Sequence, residues 1–330
     1  MVFELKSKVD LMVENYNILK NGFTWESRLI KHFSAMTYAL ADRRVDTNRL
    51  KEVKDYIKDQ TSWTSQFRGA NQFILASLLS LENDYKDFFG KIQQVYDKLR
   101  NYGFKSSAYL PLAAFTIAKS TEGDWDHTIR RMNSFYNQMK KNHFWLTSHD
   151  DYVFASVLAT TDLNVEETSA LIESCYRALN SRGLHKGNDL QTLSHILALG
   201  EEDVETKCRK AVAIYDRLKE EKCKLEYKGL ATLGLVTLIS TDISKIVSEI
   251  KEVYDYIYEK EGYGFWSLDK GTRTILAATL VSDFYVGEAK KGLLQITLGN
   301  SINAIIIAQQ QATIAAACAA SAAAAASSSN

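Results

Sequence analysis

Tyrosine falls at positions 16, 56, 96, 136, 176 and 256, a fixed step of forty residues broken only at Asp216, where Tyr215 stands alongside. With 17 tyrosines in 330 residues, chance does not fill six of seven such positions. An acidic column keeps the same interval: Asp42, Glu82, Glu122, Asp162, Glu202 and Asp242, then Asp283 one residue late. A constant period of this length marks a repeat array, in which no unit buries its apolar face without its neighbours. Length alone would suggest two domains. The unbroken beat predicts one α/α repeat domain over residues 1–291, with a tail over residues 292–330.

Each forty-residue unit reads as two helices. The first is apolar on most sides, as in Asn71–Ser80 (NQFILASLLS), Tyr152–Thr160 (YVFASVLAT) and Thr274–Ser282 (TILAATLVS). It ends at the acidic column, where a carboxylate is placed to cap the next helix. The second is amphipathic and carries the tyrosine, as in Lys91–Arg100 (KIQQVYDKLR) and Lys251–Lys260 (KEVYDYIYEK), with apolar residues at helical spacing. A third column, Phe23, Trp63, Gly103, His143, Gly183, Cys223 and Tyr263, marks the turn into the next apolar helix, and aromatic residues crowd around it. Pro111, the only proline, falls early in an apolar helix, where a missing amide donor matters least. The expected fold is all-α: about seven α/α hairpins stacked as a superhelix or a closed toroid, apolar helices inside and amphipathic helices outside. The tyrosines are expected to be packing residues between the two layers.

Forty Lys and Arg balance forty Asp and Glu, without the basic clustering that nucleic acid or an anionic membrane would need as the main partner. The first twenty residues interleave Glu4, Lys6, Lys8, Asp10 and Glu14 with apolar residues, so no secretory leader is expected. Four scattered cysteines without a CxxC pair suit reduced thiols and a cytoplasmic location. Phosphate loops, dinucleotide fingerprints, HExxH pairs and GxSxG elbows are missing, and no cofactor or metal is expected. The 39 residues after Lys291 hold no charge, and alanine-rich 302–326 favours helix. Its length would span a bilayer, but Gln309, Gln310 and Gln311 sit at its centre, and no aromatic anchors or basic residues flank it. The tail is expected to pack in the centre of the array or to mediate self-association, with membrane disfavoured.

Once the register aligns the apolar helices, the positions that break the apolar rule stand out. One column runs Lys31, Asn71, Pro111, Asp151, Gln191 and Ala231; three residues earlier run Arg28, Arg68, Ala108, Ser148, Asn188 and Lys228. Four residues later come Ala35, Leu75, Phe115, Ala155, His195 and Leu235, on the same helix face. Arg68, Asn71, Asp151, Gln191 and His195 are therefore candidates for a polar pocket, with Arg28, Lys31, His149, Asp150, Lys228 and the tail's Gln310 at its rim. The plainer reading makes the first-turn members helix caps and His195 a hydrogen-bonded core residue. A metal site from His149, Asp150, Asp151 and His195 is the lesser alternative.

Phe67–Phe73 (FRGANQF), Asp150–Ala155 (DDYVFA), Leu193–Gly200 (LSHILALG) and Ile305–Gln311 (IIIAQQQ) with the alanine-serine tail carry a resemblance. Across essentially the whole chain they resemble an uncharacterised bacterial family of Bacillus-type organisms, domain of unknown function 4003. The resemblance implies a cytosolic bacterial protein of this length and carries no activity. The expected function is that of a binding or scaffold protein that takes a small polar ligand or a peptide in a polar concave pocket. The alternative is a toroid-type enzyme with Asp151 or His195 as acid/base and Arg68 as anion anchor.

Overall fold

The protein is described here from a computed structural model that covers residues 1–121 and 123–290. These residues form fourteen α-helices and no strand. In chain order they are α1 (Phe3–Gly22), α2 (Arg28–Leu40), α3 (Thr47–Asp59), α4 (Ala70–Leu79), α5 (Tyr85–Asn101), α6 (Leu110–Ser120) and α7 (Trp125–Asn142). There follow α8 (Asp151–Ala159), α9 (Val165–Ser181), α10 (Asn188–Leu197), α11 (Val204–Glu220), α12 (Leu230–Ile239), α13 (Ile243–Tyr258) and α14 (Lys270–Lys290), with a 3₁₀ turn, Tyr227–Gly229, ahead of α12.

The two helix types have different burial. All nine residues of α8 and nine of the ten in α12 are buried, as their near-continuous apolar sequences require. In α11 only Lys207, Cys208, Ala211, Ile214 and Leu218 are buried, a single stripe at helical spacing. Each odd-numbered helix packs against the even-numbered helix that follows it. One apolar core runs without interruption from Leu5 to Val286. Cys175, Cys208 and Cys223 are buried free thiols within the described residues. Pro111 lies in the first turn of α6.

The tyrosine column packs against the turns. Tyr96 meets Phe67, Tyr136 meets Phe104 and Tyr152, and Tyr176 stacks at 4.3 Å on His143. The N-terminal Tyr16 makes the corresponding contact with Tyr263, near the far end of the described chain, at 5.3 Å. Around that contact α1 packs against α13 and α14, and α2 against α14. His32 lies flat on Tyr16 at 4.0 Å and edge-on to Tyr263 at 4.5 Å. Polar contacts flank this apolar centre: Tyr256 donates to Asp10 (2.8 Å), Lys260 pairs with Asp10 (2.9 Å) and Lys20 with Glu261 (3.1 Å). Exposed pairs of this kind add little stability. The buried stripe of α1, Leu5, Val9, Met12, Tyr16 and Leu19, carries the association.

The acidic column caps less often than its spacing predicts. Among the described residues of that column only Asp242 accepts from the first amides of its helix, those of Ser244 and Lys245. The other amphipathic helices are capped by Asp46, Asp84, Asp124, Asn164 and Asp203, between one and four residues further on. The intervening residues finish the preceding helix: Asp42 takes a left-handed conformation at φ 52. Glu82 and Glu202 instead pair with Lys119 and Lys210.

Candidate functional site

The turns that lead into the even-numbered helices are joined to one another by side chains. Glu26 pairs with Lys54 of the next hairpin, and Asn71 donates to the Ala108 carbonyl at 2.7 Å. The Lys105 amide donates to the Tyr152 hydroxyl at 3.2 Å, and Asn188 donates to Asp150 at 3.2 Å. The Glu226 side chain lies close over Gly271, 3.2 Å from where a Cβ would stand. Arg28 then reaches from the first such turn to the carbonyls of Trp266 and Ser267 in the last, both at 3.2 Å.

Within this chain of turns the expected site residues fall into two groups. On α2 and α4 they bind backbone. Arg68 donates through Nη2 to the carbonyls of Lys58 and Thr61, closing the end of α3. Asn71 gives its amide to Gln66 (2.8 Å) and Ala108, and the buried ammonium of Lys31 donates to the Phe23 carbonyl at 3.3 Å. Burial lowers the pKa of Lys31, with Glu26 opposing. These side chains tie turn to turn.

The second group is titratable and lies on α8, α10 and the 3₁₀ turn. Asp151, the first residue of α8, is 3% exposed and accepts from the Ser148 amide at 2.9 Å. Burial, reinforced by the neighbouring Asp150, pushes its carboxyl up to about 8. Asp150 accepts from the Ser148 hydroxyl and from Asn188, and so remains in a polar setting. Asp189 is also raised, by desolvation and then by Asp150, with exposed Lys228 opposing. Desolvation raises Tyr109 too, with Asp150 and Asp151 adding to it.

Gln191 and His195 lie one turn apart on α10, both buried. Gln191 donates to the Thr147 hydroxyl at 3.3 Å, but its Oε1 is buried without a partner. His195 is 2% exposed, neither ring nitrogen has a partner, and Phe154 of α8 tilts against it at 6.2 Å. Desolvation, with His143 nearby, holds the imidazole down at about 3, which makes it neutral. The expected core hydrogen bond to His195 is therefore missing. Gln191 reaches Thr147, which precedes α8, and His195 meets Phe154 of α8, while Asn71 reaches no further than the turn at Ala108.

His149 stacks against Tyr152 at 5.3 Å, to the side of the carboxyls. Among the described residues no group of three or more His, Cys, Asp or Glu is arranged to hold a metal ion. Gln310 and the whole tail lie outside the described residues. No helix among the described residues is long and apolar enough to cross a membrane. The periodic reading missed Asp189 and Tyr109, which flank the aligned columns; their only signal is a polar residue one position off register in a first helical turn.

Residues 15–311 match the family described as "Protein of unknown function (DUF4003)". The chain is similar to the uncharacterized protein YeaA of Bacillus subtilis (strain 168), at 25% identity over 273 residues, covering 79% of this chain and 82% of that protein. No solved structure matches it significantly. With residues 15–311 of its 330 matched, the chain belongs to the bacterial family of unknown function DUF4003.

Proposed function

We propose that the protein is a cytoplasmic binding protein that takes a small polar ligand at the mouth formed by α8 and α10. The observation that carries this reading is the unpartnered Gln191 Oε1 and His195 imidazole, both buried on α10, which packs against the helix that Asp151 begins. Buried polar atoms are nearly always paired, and each unpaired one destabilises the fold by about 1–3 kcal/mol. A ligand offering a donor to Gln191 and an acceptor to Asp151 would supply the missing bonds.

The scaffold in this reading is a closed α/α toroid of seven hairpins over residues 1–291, the seventh made by α13 with α14 and closed by α1. Closure is supported by the Tyr16–Tyr263 contact, which repeats the Tyr176–His143 contact within the array, and by Arg28 reaching the last turn. A second reading rests on the same carboxyl. Asp151, raised by burial, is a carboxyl able to donate a proton beside a second carboxyl, as an enzyme of the toroid type would need. Arg68 has its Nη2 committed to two carbonyls, and its buried Nε is a donor left for an anion in that reading.

Native mass spectrometry of full-length protein purified from a Bacillus-type host tests the proposal, with Gln191→Leu in parallel. A polar molecule retained by the wild type and lost from the variant is the expected result. Wild-type protein that carries nothing and is not stabilised by any member of a polar-metabolite library would refute it. Turnover of the retained molecule, abolished in Asp151→Asn, would select the enzymatic reading.

A further inference from the structure

Four of the five tryptophans are almost fully in solvent: Trp25 (99%), Trp63 (88%), Trp145 (92%) and Trp266 (90%). Each sits in a turn between an odd-numbered helix and the even-numbered helix after it, and Phe144 and Phe265 stand exposed beside two of them. Apart from Met1, Val2 and Phe3, every exposed large hydrophobic side chain of the described residues lies in these turns or on the residue leading into them. All these turns are at the N-terminal ends of the even-numbered helices, on one face of the molecule. Scattered exposed apolar residues need no explanation. Confinement to one face does.

Charge is divided in the same way. The turns that enter the even-numbered helices hold eight Lys and Arg against seven Asp and Glu. The turns at the opposite end hold two against eleven. Within the aromatic face, the three turns without tryptophan (102–109, 182–187 and 221–229) carry six basic residues against two acidic ones. One face thus presents tryptophan tips on turns that hold two basic residues against five acidic ones, and an excess of Lys and Arg on the other three turns, while the far face is strongly acidic.

We propose that the tryptophan-bearing face docks the protein on the surface of an anionic phospholipid bilayer, its tryptophan tips entering the headgroup region. Tryptophan is the side chain most suited to that layer, with an apolar ring and one polar N–H. The basic turns meet the negative surface potential, and the acidic far face orients the molecule away from it. The tips belong to four separate hairpins, so a small ligand cannot cover them together, whereas an extended planar surface can. No span is involved, and the inference stands apart from the ligand site at the mouth.

Flotation of the full chain with phosphatidylethanolamine/phosphatidylglycerol vesicles tests this, with tryptophan emission recorded in parallel. Trp25, Trp63, Trp145 and Trp266 supply most of the indole signal, so binding should shift emission to shorter wavelength, and brominated lipid should quench it. The variant carrying Trp25→Ser, Trp63→Ser, Trp145→Ser and Trp266→Ser should keep its circular dichroism, because these side chains are in solvent, and lose vesicle partitioning by about tenfold or more. Wild-type protein that ignores the vesicles overturns the proposal. Undiminished binding by the fourfold variant also overturns it and assigns the contact to another segment, such as the tail that the variant retains. Concentration-dependent dimers that the variant abolishes, without vesicle binding, would give the face to a second copy of the chain.

Discussion

Asp151→Asn isolates the protonation state on which the binding proposal depends. The Asp151 carboxyl has an ordinary value of 3.8 and is raised to about 8 in the folded protein by burial and by Asp150. Between those limits the folded chain holds a proton that the unfolded chain has released. Folding stability is therefore greatest below the unfolded value and falls as pH rises through the window from about 4 to about 8. One unit corresponds to about 1.36 kcal/mol, so the wild type loses about 2.7 kcal/mol at this site between pH 5 and pH 7. The opposing influence is the N-terminus of α8, whose dipole favours the ionised form by at most about 2 kcal/mol. A pull of that size moves the carboxyl down by about 1.5 units and still leaves a loss of about 2 kcal/mol over the same interval.

Asparagine keeps an oxygen for the Ser148 amide and cannot ionise, so its stability lacks this slope. Urea unfolding of both proteins at pH 5, 6 and 7 should show the variant gaining about 2 kcal/mol or more on the wild type across the series. Titrating groups remote from Asp151 cancel in the difference. A constant difference at all three pH values would refute the reasoning, and would mean that Asp151 is ionised throughout and held by Ser148 and the helix end.

Other substitutions test separate parts of the structure. His195→Leu, which places the residue of Leu75 and Leu235 in this column, should stabilise the fold by about 1–3 kcal/mol by removing two unpartnered nitrogens, measured by thermal unfolding. Because the folded imidazole is held at about 3 against an ordinary 6.5, the wild type loses stability as pH falls from about 6.5 towards 3; the variant should resist acid further. Gly262→Ala tests the contact between the chain ends: its φ is +85 and an added Cβ would lie 2.4 Å from the Tyr16 ring, so a loss of about 2 kcal/mol or more is expected in chemical unfolding, and a neutral result would contradict the packing. Asp203→Ala should lower stability by about 1 kcal/mol through loss of the α11 cap, whereas Glu202→Ala, in the acidic column but not capping, should change it by under about 0.5 kcal/mol.

Much of the candidate site was legible because polar residues interrupt helices that are otherwise apolar, and a register makes such interruptions visible. Asp151, Gln191 and His195 were singled out in that way, and all three are buried on α8 and α10. Arg68 and Asn71 share the same signal but serve neighbouring carbonyls, a distinction that depends on where the adjacent turn ends. Asp189 and Tyr109 escaped because their relation to Asp150 arises between helices and leaves no trace in spacing. The capping acids were misplaced by one to four residues because turn length varies from hairpin to hairpin, while the forty-residue interval averages over it.

By itself the sequence determined the helices, their alternation and their burial, since an apolar pattern at helical spacing has one economical way to leave water. Tertiary structure decided what no period encodes. It set Tyr16 against Tyr263 across the length of the chain, because side-chain shape at each contact governs how much successive hairpins rotate. It raised Asp151 by removing water from a carboxyl whose sequence context is that of an ordinary helix start. It also separated the aromatic residues of the turns, burying Phe104 and Tyr263 while leaving four tryptophans in solvent, since exposure depends on which neighbour arrives to cover each ring.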